Sequence, residues 1–292
     1  MTASPATARS VEVLQPGYGA TVQDLGRPGH AALGVSPSGA ADRDSLRLAN
    51  RLVGNHESAA GIEAPLGGLT LRFDHHATVA LTGAPCPARV GRRQVDMYAP
   101  VRLAPGDELR VATPAEGLRL YIAVRGGLRT PATLGSRSTD TIAGLGPARL
   151  AAGDVLPVGT STTGWPAADL APRPRLPAEP RLRILPGPRD DWFTAAALTA
   201  LTSQPYTVTT DSDRVGMRLD GPALERLHHR ELPSEATVAG ALQVPPSGRP
   251  ILFLADHPVT GGYPVIAVVH EADLPLAAQA RPGQTLRFSH RA

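Results

Sequence analysis

From Ile62 to Val158 the chain never runs far without a glycine, proline or aspartate. The runs left between these breakers, Leu69 to Phe73, Thr78 to Thr82, Asp107 to Ala112 and Leu118 to Val124, are too short for ordinary helices. Short apolar-rich runs at this spacing predict an antiparallel sandwich or barrel. A brief echo supports the same reading. Pro105-Gly-Asp-Glu-Leu-Arg-Val, Ala152-Gly-Asp-Val-Leu-Pro-Val and Pro282-Gly-Gln-Thr-Leu-Arg-Phe each place a turn before a strand. That echo fits two related β modules, one in each half.

Thirty glycines and thirty prolines in 292 residues also favour many turns over long helices. Two helices are nevertheless expected. One is capped by Asp42, runs through Leu46, Leu48, Ala49, Leu52 and Val53, and stops at Gly54-Asn55, with arginines at 43, 47 and 51 on its polar side. The other runs from about Asp190 to Thr202 with Asp190 or Asp191 as its cap. Asp273-Leu-Pro-Leu opens a further short helix, with proline at a tolerated early position. The Pro/Ala/Ser-rich residues 161–180 read as an extended linker. The expected organisation is therefore a disordered start at 1–10, an N-terminal β module at 11–160, the linker, and a C-terminal β module at 181–292.

Every basic residue is arginine, because the chain contains no lysine. That excludes a P-loop, a Schiff base, a Ser-Ser-Lys amidase and a biotin attached to this chain. The formal net charge of +3 is spread among interleaved acids, which is a solvated surface and not a nucleic-acid stripe. Arginine does suit paired hydrogen bonds to carboxylate or phosphate. No run of 18 apolar residues exists, and the first ten residues carry no apolar core of a signal. The single Cys86, between two prolines, fits a reducing cytoplasm and reads as a structural thiol. The adjacent pairs His75-His76 and His228-His229 would point to opposite faces of a strand, so no metal site is expected.

The densest polar stretch is Ser234 to Pro264. Pro245-Pro246-Ser247-Gly248 reads as a turn joining strands Thr237 to Val244 and Pro250 to Ala255. Gly261-Gly262-Tyr263-Pro264 reads as a loop that lets backbone approach a neighbour closely. Arg137, Arg214 and Asp256 each lie in a Ser/Thr/Gly-rich loop, which is how pockets are commonly furnished.

Six stretches taken together resemble one family: TVQDLGRPGH, GVSPSGAADRDSLRLANRLVGN, LGSRST, LPGPRDDWF, SDRVGMRLDGP and SEATVAGALQVPPSGRPILFLADHPVTGGYP. The chain resembles the bacterial 5-oxoprolinase C-subunit family, also called allophanate hydrolase subunit 2 or KipA-type biotin-dependent carboxyltransferases, from about Val11 to Phe288. It departs from the family's more frequent residues at Asp213 and Ala236. The resemblance implies a mainly β fold of two barrel-like, cyclophilin-like modules with a few short helices. It also implies a complex with two companions, opening 5-oxoproline to glutamate with ATP. One companion is a KipI-like protein, similar to allophanate hydrolase subunit 1, and the other is a lactam-utilisation protein. No cofactor is expected on this chain alone.

Two alternatives follow from the same resemblance. One is the carboxyltransferase part of a urea or amide carboxylase, with biotin on another chain. The other is a non-enzymatic antagonist of a KipI-type kinase inhibitor. Within the resemblance, Asp256, Glu235 and Arg214 are the expected catalytic residues. Gln23, Asp24, Arg27, Arg137, Gln243, Gly261, Gly262 and Tyr263 are the expected substrate contacts.

Overall fold

The computed structural model describes residues 9–166, 168–228 and 230–290. The chain divides into two compact units. The first comprises the described residues up to Leu25, Arg43–Thr139 and Gly146–Pro174; the second comprises Gly26–Asp42, Asp140–Leu145 and the described residues from Arg175 onward. Residues 26–42 and 140–145, expected in the N-terminal module, thus belong to the second unit. The physical reason is that their polar groups find partners there: Ser38 and Thr141 donate to Asp256, and the Gly39 carbonyl accepts from Arg214. Of the expected disordered start, residues 1–8 lie outside the described residues, and Ser10 already opens a strand.

The first unit contains β1 (Ser10–Pro16), β2 (Thr21–Gln23), α1 (Arg43–Leu52), β3 (Gly61–Pro65), β4 (Leu69–Phe73), β5 (Ala77–Gly83), β6 (Ala88–Val90), β7 (Arg93–Val95), β8 (Pro100–Leu103), β9 (Glu108–Val111), β10 (Arg119–Val124) and β11 (Val155–Pro157). They form two sheets, ordered β11-β1-β4-β9-β6-β7 and β2-β3-β10-β5-β8. Val11, Leu71 and Phe73 of one sheet and Ile62, Leu81 and Ile122 of the other share one core.

β4 alternates, burying Leu69, Leu71 and Phe73 while Arg72 faces water. By contrast, β5 and β10 are buried at every residue. Their second face is covered by α1, whose Ala49 and Leu52, with Val53, pack on Ala80 and Ala123. α1 is fastened by amides. Asn55 donates to Asn50 Oδ1 at 3.0 Å and to the Val124 carbonyl at 2.9 Å, and Asn50 donates to the Ala59 carbonyl at 2.8 Å.

The second unit contains β12 (Arg181–Pro186), α2 (Ala195–Ser203), β13 (Pro205–Val208), β14 (Gly216–Asp220), β15 (Glu235–Ala236), β16 (Ala241–Gln243), β17 (Ile251–Phe253), β18 (Thr260–Gly261), β19 (Val265–Val269), α3 (Leu274–Ala278) and β20 (Thr285–His290). Seven strands close a barrel in the order β12-β19-β16-β17-β14-β13-β20, sealed by the parallel pair β12 and β20. Closure leaves those strands no open edge. Leu182, Tyr206, Leu219, Leu242, Leu252 and Phe288 fill the interior. The fold class is mainly β, as expected; the closed barrel is the second unit, and the first is the two-sheet body.

Three local expectations change. The helix at 190–202 is broken into a 3-10 turn, Asp190–Trp192, and α2, whose cap is Thr194 accepting from the Ala197 N–H at 3.1 Å. Burial of Trp192 and Phe193 accounts for the break, since it turns the chain inward before the helix starts. The expected hairpin forms, but only over β16 and β17, with Leu242 opposite Leu252. Gly240 turns the chain at φ 90°, so Glu235–Ala236 is freed to pair with Thr260–Gly261 as β15 and β18. Residues 161–180 contain no helix or strand among the described residues, yet several are held in the first unit. Trp165 lies 3.8 Å from the Arg125 guanidinium, and the Ala171 N–H donates to the Tyr98 carbonyl at 2.9 Å.

Candidate functional site

In the first unit, β2 delivers Gln23 and Asp24 to the loop 135–139. Asp24 Oδ1 accepts from Ser136 Oγ at 2.6 Å and Ser138 Oγ at 2.5 Å, while Oδ2 accepts from the Arg137 N–H at 2.7 Å. Gln23 donates to the Thr139 carbonyl at 3.0 Å and to Thr21 Oγ1 at 3.0 Å. Its Oε1 is buried and accepts no hydrogen bond among the described residues. Asp24 is therefore a clamp that fixes the loop backbone. The loop it fixes presents Arg137, half-buried, whose guanidinium has no hydrogen-bond or ion-pair partner among the described residues. A fixed backbone with a free guanidinium is a ready receptor for a carboxylate or phosphate.

The second unit holds two further groups. The first centres on Asp256, which is fully buried in the loop between β17 and β18. Its Oδ1 accepts from Ser38 Oγ at 2.6 Å and Arg214 Nη2 at 2.9 Å. Its Oδ2 accepts from Arg214 Nε at 3.0 Å, Thr141 Oγ1 at 2.7 Å and the Thr141 N–H at 3.1 Å. Burial alone would raise the Asp256 pKa, but the Arg214 charge and hydrogen bonds, with those from Ser38 and Thr141, outweigh it and hold the carboxyl below its usual range.

A carboxylate so saturated is a poor proton acceptor. The geometry favours it as an anchor joining the 36–39, 141 and 214 segments. Arg214 is likewise engaged, since Nη2 also donates to the Gly39 carbonyl at 2.6 Å. Ser38 adopts φ 52° while fully buried, a conformation tolerated only where surroundings over-determine it. Nearby, Arg27 and Asp140 form a fully buried ion pair at 3.6 Å, and the Arg27 N–H donates to the Pro37 carbonyl at 2.7 Å. Arg27 is thereby part of the same internal scaffold.

The other group gathers around β15 and β18. Glu235 stands opposite Gly261 and is held by the Arg189 guanidinium, whose Nε donates to Oε2 at 3.0 Å. That hydrogen bond lowers the Glu235 pKa. Buried Gln243 donates to the Tyr263 carbonyl at 3.0 Å. Gly261 is required by close approach, because a Cβ there would lie 2.5 Å from Gln243 Nε2. Gly262 has room for a side chain by the same measure, its nearest neighbour being the Leu232 carbonyl at 3.6 Å. Tyr263 is exposed beside Arg226, whose guanidinium lies 5.9 Å from the ring centre.

Sequence reasoning passed over Ser38, Thr141, Arg226 and His257. His257 is buried, stacks on Phe253, and contacts the Pro258 carbonyl through Nδ1 at 2.8 Å. Burial lowers its pKa and outweighs the Pro258 and Asp256 contributions, favouring the neutral ring. Membership of motif loops could have flagged Ser38 and His257, whereas Thr141 and Arg226 lie outside those stretches. No cluster of three or more His, Cys, Asp or Glu suited to a metal ion occurs among the described residues.

A mainly β pair of units carrying arginine-furnished loops matches a known class. The chain belongs to the carboxyltransferase domain, subdomain A and B, family, whose model matches residues 33–290. It is 39% identical to the 5-oxoprolinase C-subunit of Escherichia coli, over 95% of this chain and 90% of that protein. With the 5-oxoprolinase C-subunit of Haemophilus influenzae the identity is 37% over the same shares. Urea amidolyase of Lachancea kluyveri is 32% identical, but this chain covers only 17% of it. Among solved structures, TTHA0988 superposes with a TM-score of 0.89 at 38% identity, over 97% of this chain and 56% of that one. Urea amidolyase of K. lactis superposes at 0.90 with 30% identity, over 99% of this chain and 19% of that one. This chain thus spans a little over half of one solved relative and a fifth of the other.

Proposed function

We propose that this chain is the C-subunit of a 5-oxoprolinase, working with companion proteins to open 5-oxoproline to glutamate with hydrolysis of ATP. The observation that carries the reading is the 39% identity to the Escherichia coli protein over nearly the whole of both chains. The fold and its relatives equally support a part in a larger assembly, since the same body occurs inside urea amidolyase. We assign the companions to a KipI-like protein and a lactam-utilisation protein.

The chemistry divides sensibly on this view. A lactam carbonyl is a poor electrophile, so opening it needs activation of its oxygen and a held substrate. Nucleotide handling falls to a companion, because this chain has no lysine for a P-loop and is assigned no bound cofactor. The role left to this chain is to hold the anionic substrate. Arg137 is the group best placed by its chemistry to take the substrate carboxylate, because its guanidinium is not engaged by the protein. Asp24 positions Arg137 through the loop backbone, and Asp256 with Arg214 fixes the loops of the second unit. Gln243, Gly261 and Tyr263 are assigned to contacts with substrate or companion. We place the complex in the cytoplasm, as the lone thiol suggests; among the described residues no helix is long and apolar enough to cross a membrane.

Reconstitution with the companion chains tests the assignment against the carboxyltransferase alternative. ATP hydrolysis stimulated by 5-oxoproline is expected. Stimulation by urea with carboxybiotin, and none by 5-oxoproline, would replace it with carboxyl transfer.

A further inference from the structure

The solvent face of the six-stranded sheet carries a groove of about 850 Å³ that none of the roles above uses. Strand register lines up its polar floor. Gln15 stands opposite Thr70, Thr70 opposite Arg110, Arg110 opposite Arg89, and Arg89 opposite Gln94. The row crosses five strands, so it is about 19 Å long at a strand spacing of about 4.8 Å. The neighbouring row of Val13, Leu71, Leu109 and Val90 is buried in the core, which fixes the alternation and keeps the arginines facing outward.

Arg89 and Arg110 are therefore directly opposed like charges, an arrangement that destabilises a sheet unless something offsets it. Arg110 is partly compensated by Glu108 on its own strand, at 2.7 Å from Nη2 and 3.3 Å from Nε. Arg89, and Arg92 on the β6–β7 turn, are exposed and have no hydrogen-bond or ion-pair partner among the described residues. The lining thus sets three arginines against a single carboxylate, Glu108.

We propose that this groove is a binding site for a compact multivalent oxyanion, bearing phosphate or carboxylate groups, held between Arg89, Arg92 and Arg110. Guanidinium forks bind such oxygens in pairs, and the bound charge would offset the repulsion across β6 and β9. The assignment does not depend on the 5-oxoprolinase reading.

The test is calorimetric titration of the full chain with pyrophosphate and, separately, citrate at constant ionic strength. Saturable binding of either supports the proposal, and which of the two binds tells phosphate from carboxylate chemistry. The double variant Arg89→Gln/Arg92→Gln should weaken it at least about tenfold. Arg102→Gln, an exposed arginine of the other sheet, should leave it unchanged. Without anion, the double variant should melt no lower than the parent. Phenylglyoxal labelling of the unmutated chain locates the site independently of variant folding: the anion should protect Arg89 and Arg92 and not Arg102. Absence of saturable binding for both anions, equal loss in Arg102→Gln, or no protection of Arg89 and Arg92 would overturn it.

Discussion

Replacing Asp256 with Asn keeps the shape of a fully buried side chain and removes its charge, so the consequence can be worked from its partners. An amide nitrogen at the Oδ2 position would face three donors: Arg214 Nε, Thr141 Oγ1 and the Thr141 N–H. At the Oδ1 position it would face only Ser38 Oγ and Arg214 Nη2, and the Ser38 hydroxyl can rotate to accept. The second placement is the less costly, yet it still sets an N–H group against Arg214 Nη2. The Arg214 side chain, only 11% exposed, then loses the carboxylate that lies 2.9 Å from its Nη2. Breaking a buried pair from one side costs roughly 3–5 kcal/mol. Thr141→Val, which removes a single hydroxyl donor, should cost about 1–2 kcal/mol.

Trp192 lies buried in the second unit and can report its unfolding in urea, with Trp165→Phe as the shared background. The sign with pH also follows. A carboxylate with a lowered folded-state pKa contributes its full stability above its unfolded value near 3.9, and the contribution disappears as pH falls through the folded value. Asp256→Asn should therefore carry its full penalty at pH 7, and the penalty should shrink progressively as pH falls below about 4 toward the lowered folded value. A penalty under about 1 kcal/mol at pH 7, or one that does not shrink in acid, would refute the anchor argument.

Gly261→Ala should cost about 1–3 kcal/mol by forcing Gln243 off the Tyr263 carbonyl, measured by urea unfolding. Arg137→Ala should change stability by no more than about 0.5 kcal/mol, because that guanidinium has no partner to lose, while raising KM for 5-oxoproline in the reconstituted complex. Asp74 should titrate at about 2: burial pushes it up, but the Ser10 hydroxyl and N–H together with the neighbouring His75 ring outweigh that; Ser10→Ala, which removes the hydroxyl, should move it up toward its usual value, read by carbon NMR. Burial pushes the Cys86 thiol up to about 11, so it should resist iodoacetamide at neutral pH until the chain is unfolded, as followed by mass spectrometry.

Strands are the most legible part of the chain. Leu69 to Phe73 is readable at its observed bounds because alternation and flanking breakers coincide there. β5 and β10 are placed by apolar content alone, since α1 covers their second face and erases the alternation. The interleaving of the two units is not legible. Ser38 and Thr141 are ordinary loop residues by pattern, and only the fold shows that both donate to one carboxylate far along the chain.

The candidate site shows the same limit. Motif membership singles out Asp24, Arg214 and Asp256, but not that their charges and lone pairs are used internally. Arg137 differs from Arg214 in nothing the local sequence reveals; what separates them is that one guanidinium has found a buried carboxylate and the other has not. The opposed pair Arg89 and Arg110 depends on register, which spacing alone does not supply.

If this chain is an indispensable part of a 5-oxoproline-opening assembly, glutamate release decides the matter. Purified companion proteins would be given 5-oxoproline and ATP, with and without this chain in equimolar amount. Release is predicted only when the chain is present, and the chain alone should be inactive. Equal release in its absence, or release by the chain alone, would contradict that role.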